Sequence, residues 1–207
     1  DGTFLNDANA FNFARFITEG APCHYTWYVP QDPYGLMDCM GGKDKYVAKL
    51  DSMFSEQRYW HGNEPCHQVA YMFTQRAVRH IMETEYLNEP GGLSGNDDAG
   101  QMSAWYMFAA MGFYPVCPGT PYCLLASPSF PSFTLNLENG NTFTVKARNA
   151  SQKNIYIQSA TLNGKPYTRN YITHQDIVNG GVMEFVMGDE PNKEWGAGAE
   201  NCPPEVM

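Results

Sequence analysis

A change of hydrophobic period near Pro115 limits the folds open to this chain more than any other feature. Before it, apolar residues recur at the three- and four-residue spacing of a helix face; beyond it, they fall in short runs separated by turn residues. Asn6 to Ile17 sets Ala10, Phe13, Ala14 and Ile17 on one side, behind Asn/Asp capping residues. Lys43 to Phe54 does the same with Tyr46, Val47, Leu50 and Phe54 after the breaker Gly41-Gly42, and His67 to Leu87 carries Ala70, Phe73, Ala77 and Ile81. Gln101 to Phe113 is apolar on nearly every side, which predicts a helix packed all round.

The second half reads as strands: Tyr122–Ala126, Phe133–Leu137, Thr142–Arg148, Ile155–Leu162 and Val182–Val186. Asn139-Gly140, Asn163-Gly164 and Asn179-Gly180 stand where hairpin turns are expected, because Asn and Gly tolerate positive φ. The fold class is therefore α+β. Helices fill residues 1–115 and a β-sandwich of antiparallel strands fills 116–207, a division the 207-residue length permits.

Charge narrows the partners. A net charge of −9, with 13 basic residues that form no stripe, excludes a phosphate-tracking nucleic-acid surface. No apolar run approaches the ~18 residues of a membrane span. The chain opens at Asp1-Gly2-Thr3 without a methionine, so a fragment or processed product is expected, with room for a lost leader. Six cysteines (Cys23, Cys39, Cys66, Cys117, Cys123, Cys202) show neither a CxxC pair nor zinc-ligand spacing, and their number permits disulfides or buried thiols equally.

Three loops of the first half concentrate acidic and amide residues. Thr18-Glu19-Gly20 places a carboxylate before the aromatic stretch Tyr25-Thr26-Trp27-Tyr28. Among such rings a carboxyl is desolvated and holds its proton, as a general acid must; a Glu facing water at a helix end is the plain alternative. His61-Gly62-Asn63-Glu64-Pro65-Cys66-His67 opens the third helix, where Glu before Pro also suits ordinary capping. Gly91 to Gly100 brings Asn96, Asp97 and Asp98 to the start of the most apolar helix, as a cap or as a cation and water site. Oxygen donors without a thiolate or His pair favour a hard ion such as Ca²⁺.

Taken together these loops resemble glycoside hydrolase family 92, calcium-dependent exo-acting α-mannosidases common in gut Bacteroidetes. The run from Gly95 through Tyr106 and on to Gly112-Phe113-Tyr114-Pro115 carries most of the likeness. Thr18-Glu19-Gly20, Val29-Pro30-Gln31-Asp32, Gly62-Asn63-Glu64-Pro65, Asn163-Gly164-Lys165 and Pro191 to Gly196 add to it, in order.

The resemblance implies an (α/α)₆ toroid, of which 1–115 is the C-terminal part, followed by the β-sandwich 116–207. It implies a partner in the rest of the same polypeptide: an N-terminal β-sandwich and early barrel helices that complete the active-site wall. It also implies single-displacement, inverting hydrolysis of mannose-containing glycans, with α-1,2 linkages the expected target and a periplasmic or secreted location. In that scheme Glu19 is the acid and Asp98 the base, Glu64 and Asp98 contribute to the Ca²⁺ site, and Asn63, His67, Asn96 and Asp97 line the substrate pocket. Asn96 stands where some relatives carry a second Asp. Ala21-Pro22-Cys23-His24-Tyr25 replaces their Asn-Ala-Trp-Gln-Tyr, which alters contacts around the acid. Retention of Glu19 favours an ordinary glycosidic leaving group over a mannosyl phosphate. The rival reading is a non-catalytic carbohydrate-binding or structural fragment.

Overall fold

The computed structural model describes residues 9–73 and 75–204. Helices occupy the first half: α1 Pro22–Tyr25, α2 Pro33–Cys39, α3 Lys43–Ser55, α4 Val69–Phe73, α5 Gln75–Thr84 and α6 Gln101–Met111, with a 3₁₀ turn at Glu64–Cys66. Strands follow: β1 Phe113–Tyr114, β2 Tyr122–Leu125, β3 Ser132–Asn136, β4 Thr142–Arg148, β5 Tyr156–Leu162, β6 Lys165–Pro166, β7 Tyr171–Thr173 and β8 Gly181–Gly188. A short helix α7, His174–Val178, lies between the last two. The chain is thus of mixed α and β structure, and the period change at Pro115 falls one residue after β1.

Part of the expected first helix, residues 6–8, lies outside the described residues. The remainder, through Ile17, forms turns instead of a helix. Asn9 Oδ1 accepts from the Phe11 amide at 2.9 Å and its carbonyl from Asn12, a local bonding pattern that competes with helix. Phe11, Phe13 and Phe16 are exposed, so no buried face rewards a helix there.

Helix α3 buries Tyr46, Leu50 and Met53 against Trp27 and Val69, though Val47, expected on that face, is 46 % exposed. Helices α4, α5 and α6 share a core of Ala70, Val78, Ile81, Trp105 and Ala109, closed by Tyr114 of β1. Helix α6 departs from the expectation of all-round packing: Ser103, Ala104 and Met107 face outward, Met107 at 57 % exposure, because no described element covers that stripe. It ends at Gly112, whose φ of 87° is left-handed and whose Cβ, if present, would meet the Pro128 ring at 2.6 Å.

The strands form two sheets, ordered β1-β2-β7 and β3-β4-β8-β5-β6. An antiparallel arrangement was expected, and the larger sheet corrects it: β4 and β8 run parallel, because the β4 to β8 connection crosses over through β5–β7 and α7. Alternate residues of β4 (Phe143, Val145, Ala147) and β8 (Met183, Phe185, Met187) pack with Phe113, Leu125 and Ile172 from the smaller sheet in one buried cluster. Two Asn-Gly pairs make the expected hairpins, at Asn139-Gly140 and Asn163-Gly164. The third does not: Asn179 caps the C-terminus of α7 and Gly180, at φ 77°, turns the chain into β8. All six cysteines are free, and Cys66, Cys117 and Cys123 are buried.

Candidate active site

The three loops singled out in the sequence meet. The buried Asn63 amide donates to the Glu19 carbonyl at 3.1 Å and to the Tyr25 hydroxyl at 3.0 Å, and that hydroxyl in turn donates to the Thr18 carbonyl. The second and third loops touch through glycines: a Cβ on Gly95 would come within 2.6 Å of the Gly62 Cα, and one on Gly62 within 2.7 Å of the Ser94 carbonyl oxygen. Only glycine fits that approach.

Both candidate catalytic residues stand on left-handed backbone, Glu19 at φ 53° and Asp98 at φ 44°, with Ala99 at 57° and Gly100 at 94° completing the turn into α6. Such conformations cost a non-glycine residue of order 1 kcal/mol and cluster where function requires them. Gln57, Asn149 and Asn163 share the region; Asn and Asp tolerate it, whereas Glu, Gln and Ala adopt it at a cost.

The neighbouring acids divide their duties. Asp97 Oδ1 accepts from the Ser103 amide at 3.0 Å and its hydroxyl at 2.8 Å, fastening the start of α6, so its carboxylate serves the helix. Asp98 and Asn96 are exposed beside it. Glu19 is also exposed, which corrects the expectation that aromatic neighbours desolvate it. The rings of Tyr25 and His24 lie against Gly20 instead.

His67, expected to line the pocket, is 1 % exposed with both ring nitrogens engaged. Nε2 donates to the His61 carbonyl at 3.1 Å, and Nδ1 accepts from Gln101 Nε2 at 3.3 Å. It ties the second loop to the first residue of α6. Around it lies a network that sequence reasoning missed. Tyr86 donates to the Met102 carbonyl, so it accepts from His61 Nε2 at 2.7 Å, and His61 Nδ1 then accepts from Tyr59 at 2.7 Å. Trp105 donates to the His67 carbonyl and Gln101 to Tyr114. The available sign was the aromatic density of Tyr59-Trp60-His61 directly before the acidic loop.

Burial, and secondarily the neighbouring His67, pushes His61 down to about 2 from an ordinary 6.5; burial lowers His67 to about 4. Folded His61 stays neutral where the unfolded chain takes up a proton. Its stabilisation is therefore complete above pH 6.5 and is lost as pH falls through 6.5 toward 2. We expect stability to drop by about 1.4 kcal/mol per pH unit for each of the two histidines below that point. Urea unfolding between pH 7 and 5 checks this, and His61→Gln should remove its share of the slope; a flat profile in the unmodified protein would show that the folded imidazoles take up protons as readily as the unfolded ones.

For a metal, the chemistry of the donors decides. Asn63 Oδ1 has no hydrogen bond among the described residues, Glu64 is partly buried one position on, and Asp98 is exposed in the adjoining loop. No group of three or more His, Cys, Asp or Glu is set to grip an ion among the described residues. Amide and carboxylate oxygens are the donor chemistry of a hard cation and not of zinc.

A cavity of about 900 Å³ lies elsewhere, between helices α3 to α5 and the edge of both sheets. None of the candidate residues lines it. Asp51 is its one acidic side chain, so it lacks the carboxylate pair that acid–base chemistry needs.

The sequence profile of the glycosyl hydrolase family 92 catalytic domain matches residues 1–189. The family GH92 α-mannosidase BT3965 from Bacteroides thetaiotaomicron is 40 % identical, with a TM-score of 0.92 over 99 % of this chain and 30 % of its own. The family GH92 inverting mannosidase BT2199 from the same organism is 34 % identical, with a TM-score of 0.91 over 99 % of this chain and 32 % of its own. An uncharacterized secreted glycosidase of Arthroderma benhamiae is 35 % identical over 87 % of this chain and 24 % of its own length. The chain thus spans between a quarter and a third of the length of these relatives. Among the described residues no helix is long and apolar enough to cross a membrane.

Proposed function

The chain belongs to glycosyl hydrolase family 92, and on that premise we propose that it supplies the catalytic loops of an exo-acting, inverting α-mannosidase, with Glu19 as acid and Asp98 as base. One observation carries the reading: two exposed carboxylates, each on left-handed backbone, occupy loops that Asn63, Gly62 and Gly95 hold together. The likeness to BT3965, an α-mannosidase, and to BT2199, an inverting mannosidase, supports the substrate and the stereochemistry.

In such a mechanism the Glu19 carboxyl donates its proton to the glycosidic oxygen as that bond breaks, while Asp98 takes a proton from water attacking the opposite face of the ring. Asn63, Glu64 and Asp98 are the oxygens suited to Ca²⁺, which when bound supplies Lewis-acid charge stabilisation at the sugar hydroxyls. Asn96 lies beside Asp98 as a substrate contact. His67 and Asp97 act indirectly, by holding their loops on α6.

The remainder of the polypeptide completes the site in this reading: residues 1–115 form the last part of an (α/α)₆ toroid, and 116–207 a β-sandwich. The uncovered stripe of α6 at Met107 and the exposed Val47 are surfaces that preceding barrel helices would cover. The secreted fungal relative supports a secreted or periplasmic location.

The test is mannose release from α-1,2-mannobiose by the whole polypeptide, with and without EDTA, following the anomer by proton NMR. β-Mannose appearing first and stopping on chelation is the expected result. First appearance of the α-anomer would overturn the inverting mechanism, indifference to EDTA the calcium requirement, and failure on every α-linkage the hydrolase itself.

A further inference from the structure

We propose that the hollow of about 900 Å³ between helices α3 to α5 and the two sheets receives an acidic segment of the same polypeptide from outside residues 1–207. This needs the longer chain and not the hydrolase chemistry. Because the chain spans between a quarter and a third of its relatives' length, most of the polypeptide of such an enzyme lies outside it.

The walls are held in place by bonds that join the two halves of the chain. Gln75 Oε1 accepts from the Ile157 amide at 2.9 Å, which ties α5 to β5 where both line the hollow. Trp195 is fixed twice: its indole donates to the Tyr167 carbonyl at 3.0 Å and its amide to Asn192 Oδ1 at 3.2 Å. With Phe54, Phe73 and Ile157 it gives the hollow an apolar lining, which gains more from a packed occupant than from water.

The polar groups of the lining say what that occupant is. Two buried atoms have no partner among the described residues: the Tyr71 hydroxyl on α4 and Asn170 Oδ1 just before β7. The hydroxyl needs an acceptor to donate to, and Oδ1 needs a donor. A peptide unit brings both, its C=O and its N–H, whereas a free phosphate or carboxylate brings acceptors only and leaves Asn170 Oδ1 unpaired. Charge sets the side chains of the segment. Arg76 and Lys193 line the hollow with no ion pair among the described residues, and Asp51 is the one acid there, in a chain whose net charge is −9. The hollow is therefore a basic spot on an acidic molecule, complementary to an acidic side chain carried by the incoming backbone.

Zero-length coupling of the whole polypeptide with a carbodiimide, read by mass spectrometry of its peptides, tests this. The reagent joins an amine to a carboxylate in contact with it, with loss of water, and Lys153, 2.9 Å from Asp189, is the internal control. We expect Lys193 to be joined to an aspartate or glutamate outside residues 1–207, at a yield comparable to the Lys153–Asp189 link. Lys193→Arg should lose the first link and keep the second. Lys193 joined only to residues within 1–207, or left open to acetylation by an N-hydroxysuccinimide ester while the control link forms, would overturn the proposal. So would protection of Lys193 from that ester by added inorganic phosphate, which would make the hollow an anion site. Each outcome is read without a turnover assay, so failure here leaves the hydrolase reading untouched, and failure of mannose release leaves this one standing.

Discussion

Replacing Glu19 with Gln is expected to lower turnover of α-mannobiose by about 10²–10⁴-fold while leaving mannose binding nearly intact. Glutamine keeps the size of the side chain and loses only the proton. The contact that anchors this residue is its backbone carbonyl, which accepts from Asn63, so the substitution does not disturb the loop. The left-handed φ of 53° costs Gln no more than Glu. The loss should shrink on aryl mannosides, because a good leaving group departs without protonation. A kcat and KM comparison on both substrates separates these effects. Near-normal turnover on the unactivated disaccharide would remove Glu19 as the acid.

The period change at Pro115, the four strand-rich segments before β8 and the helix from Lys43 were legible because each rests on local spacing, and local spacing is what a sequence displays. The helix expected from Asn6 to Ile17 shows the limit. Its apolar positions have the right period, but Phe13 and Phe16 are more than half exposed, and Asn9 offers the backbone a competing bond. The parallel pairing of β4 with β8 was beyond reach, since register between residues 38 apart in sequence leaves no local trace.

The candidate site divides in the same way. Motif order brought attention to Glu19, Asn63 and Asp98, and the meeting of their loops follows from contacts no spacing reveals: the Asn63 amide on the Glu19 carbonyl and the glycine-only approach of residues 62 and 95. The family resemblance implies substrate contacts at His67 and Asp97. Whether their polar atoms are already taken depends on Gln101 and Ser103, which sit in a different element. The network of Tyr59, His61 and Tyr86 escaped notice for the converse reason, since aromatic residues in a helical region read first as core. These three are core, and they are also what holds the second loop rigid.

Asp98→Asn should abolish hydrolysis on every mannoside, including aryl mannosides that need no acid. The distinction from Glu19 is mechanistic: a better leaving group relieves the demand for protonation, but no leaving group supplies the base that deprotonates water. Asn cannot accept that proton near neutral pH, and it also removes one of the anionic oxygens suited to a cation beside Asn63 and Glu64. The fold should survive, because the helix start is fastened by Asp97, whose Oδ1 holds both the amide and the hydroxyl of Ser103. Asparagine is also among the residues that best tolerate the φ of 44° found at this position. Circular dichroism should therefore match the unmodified protein while activity is gone. Adding azide to the variant offers a sharper reading, since a small anionic nucleophile needs no general base. Rescue with formation of the β-mannosyl azide would identify Asp98 as the group that activates water, whereas persistent hydrolysis of an aryl mannoside by the variant would move that role to another carboxylate, with Glu64 the first to be tested.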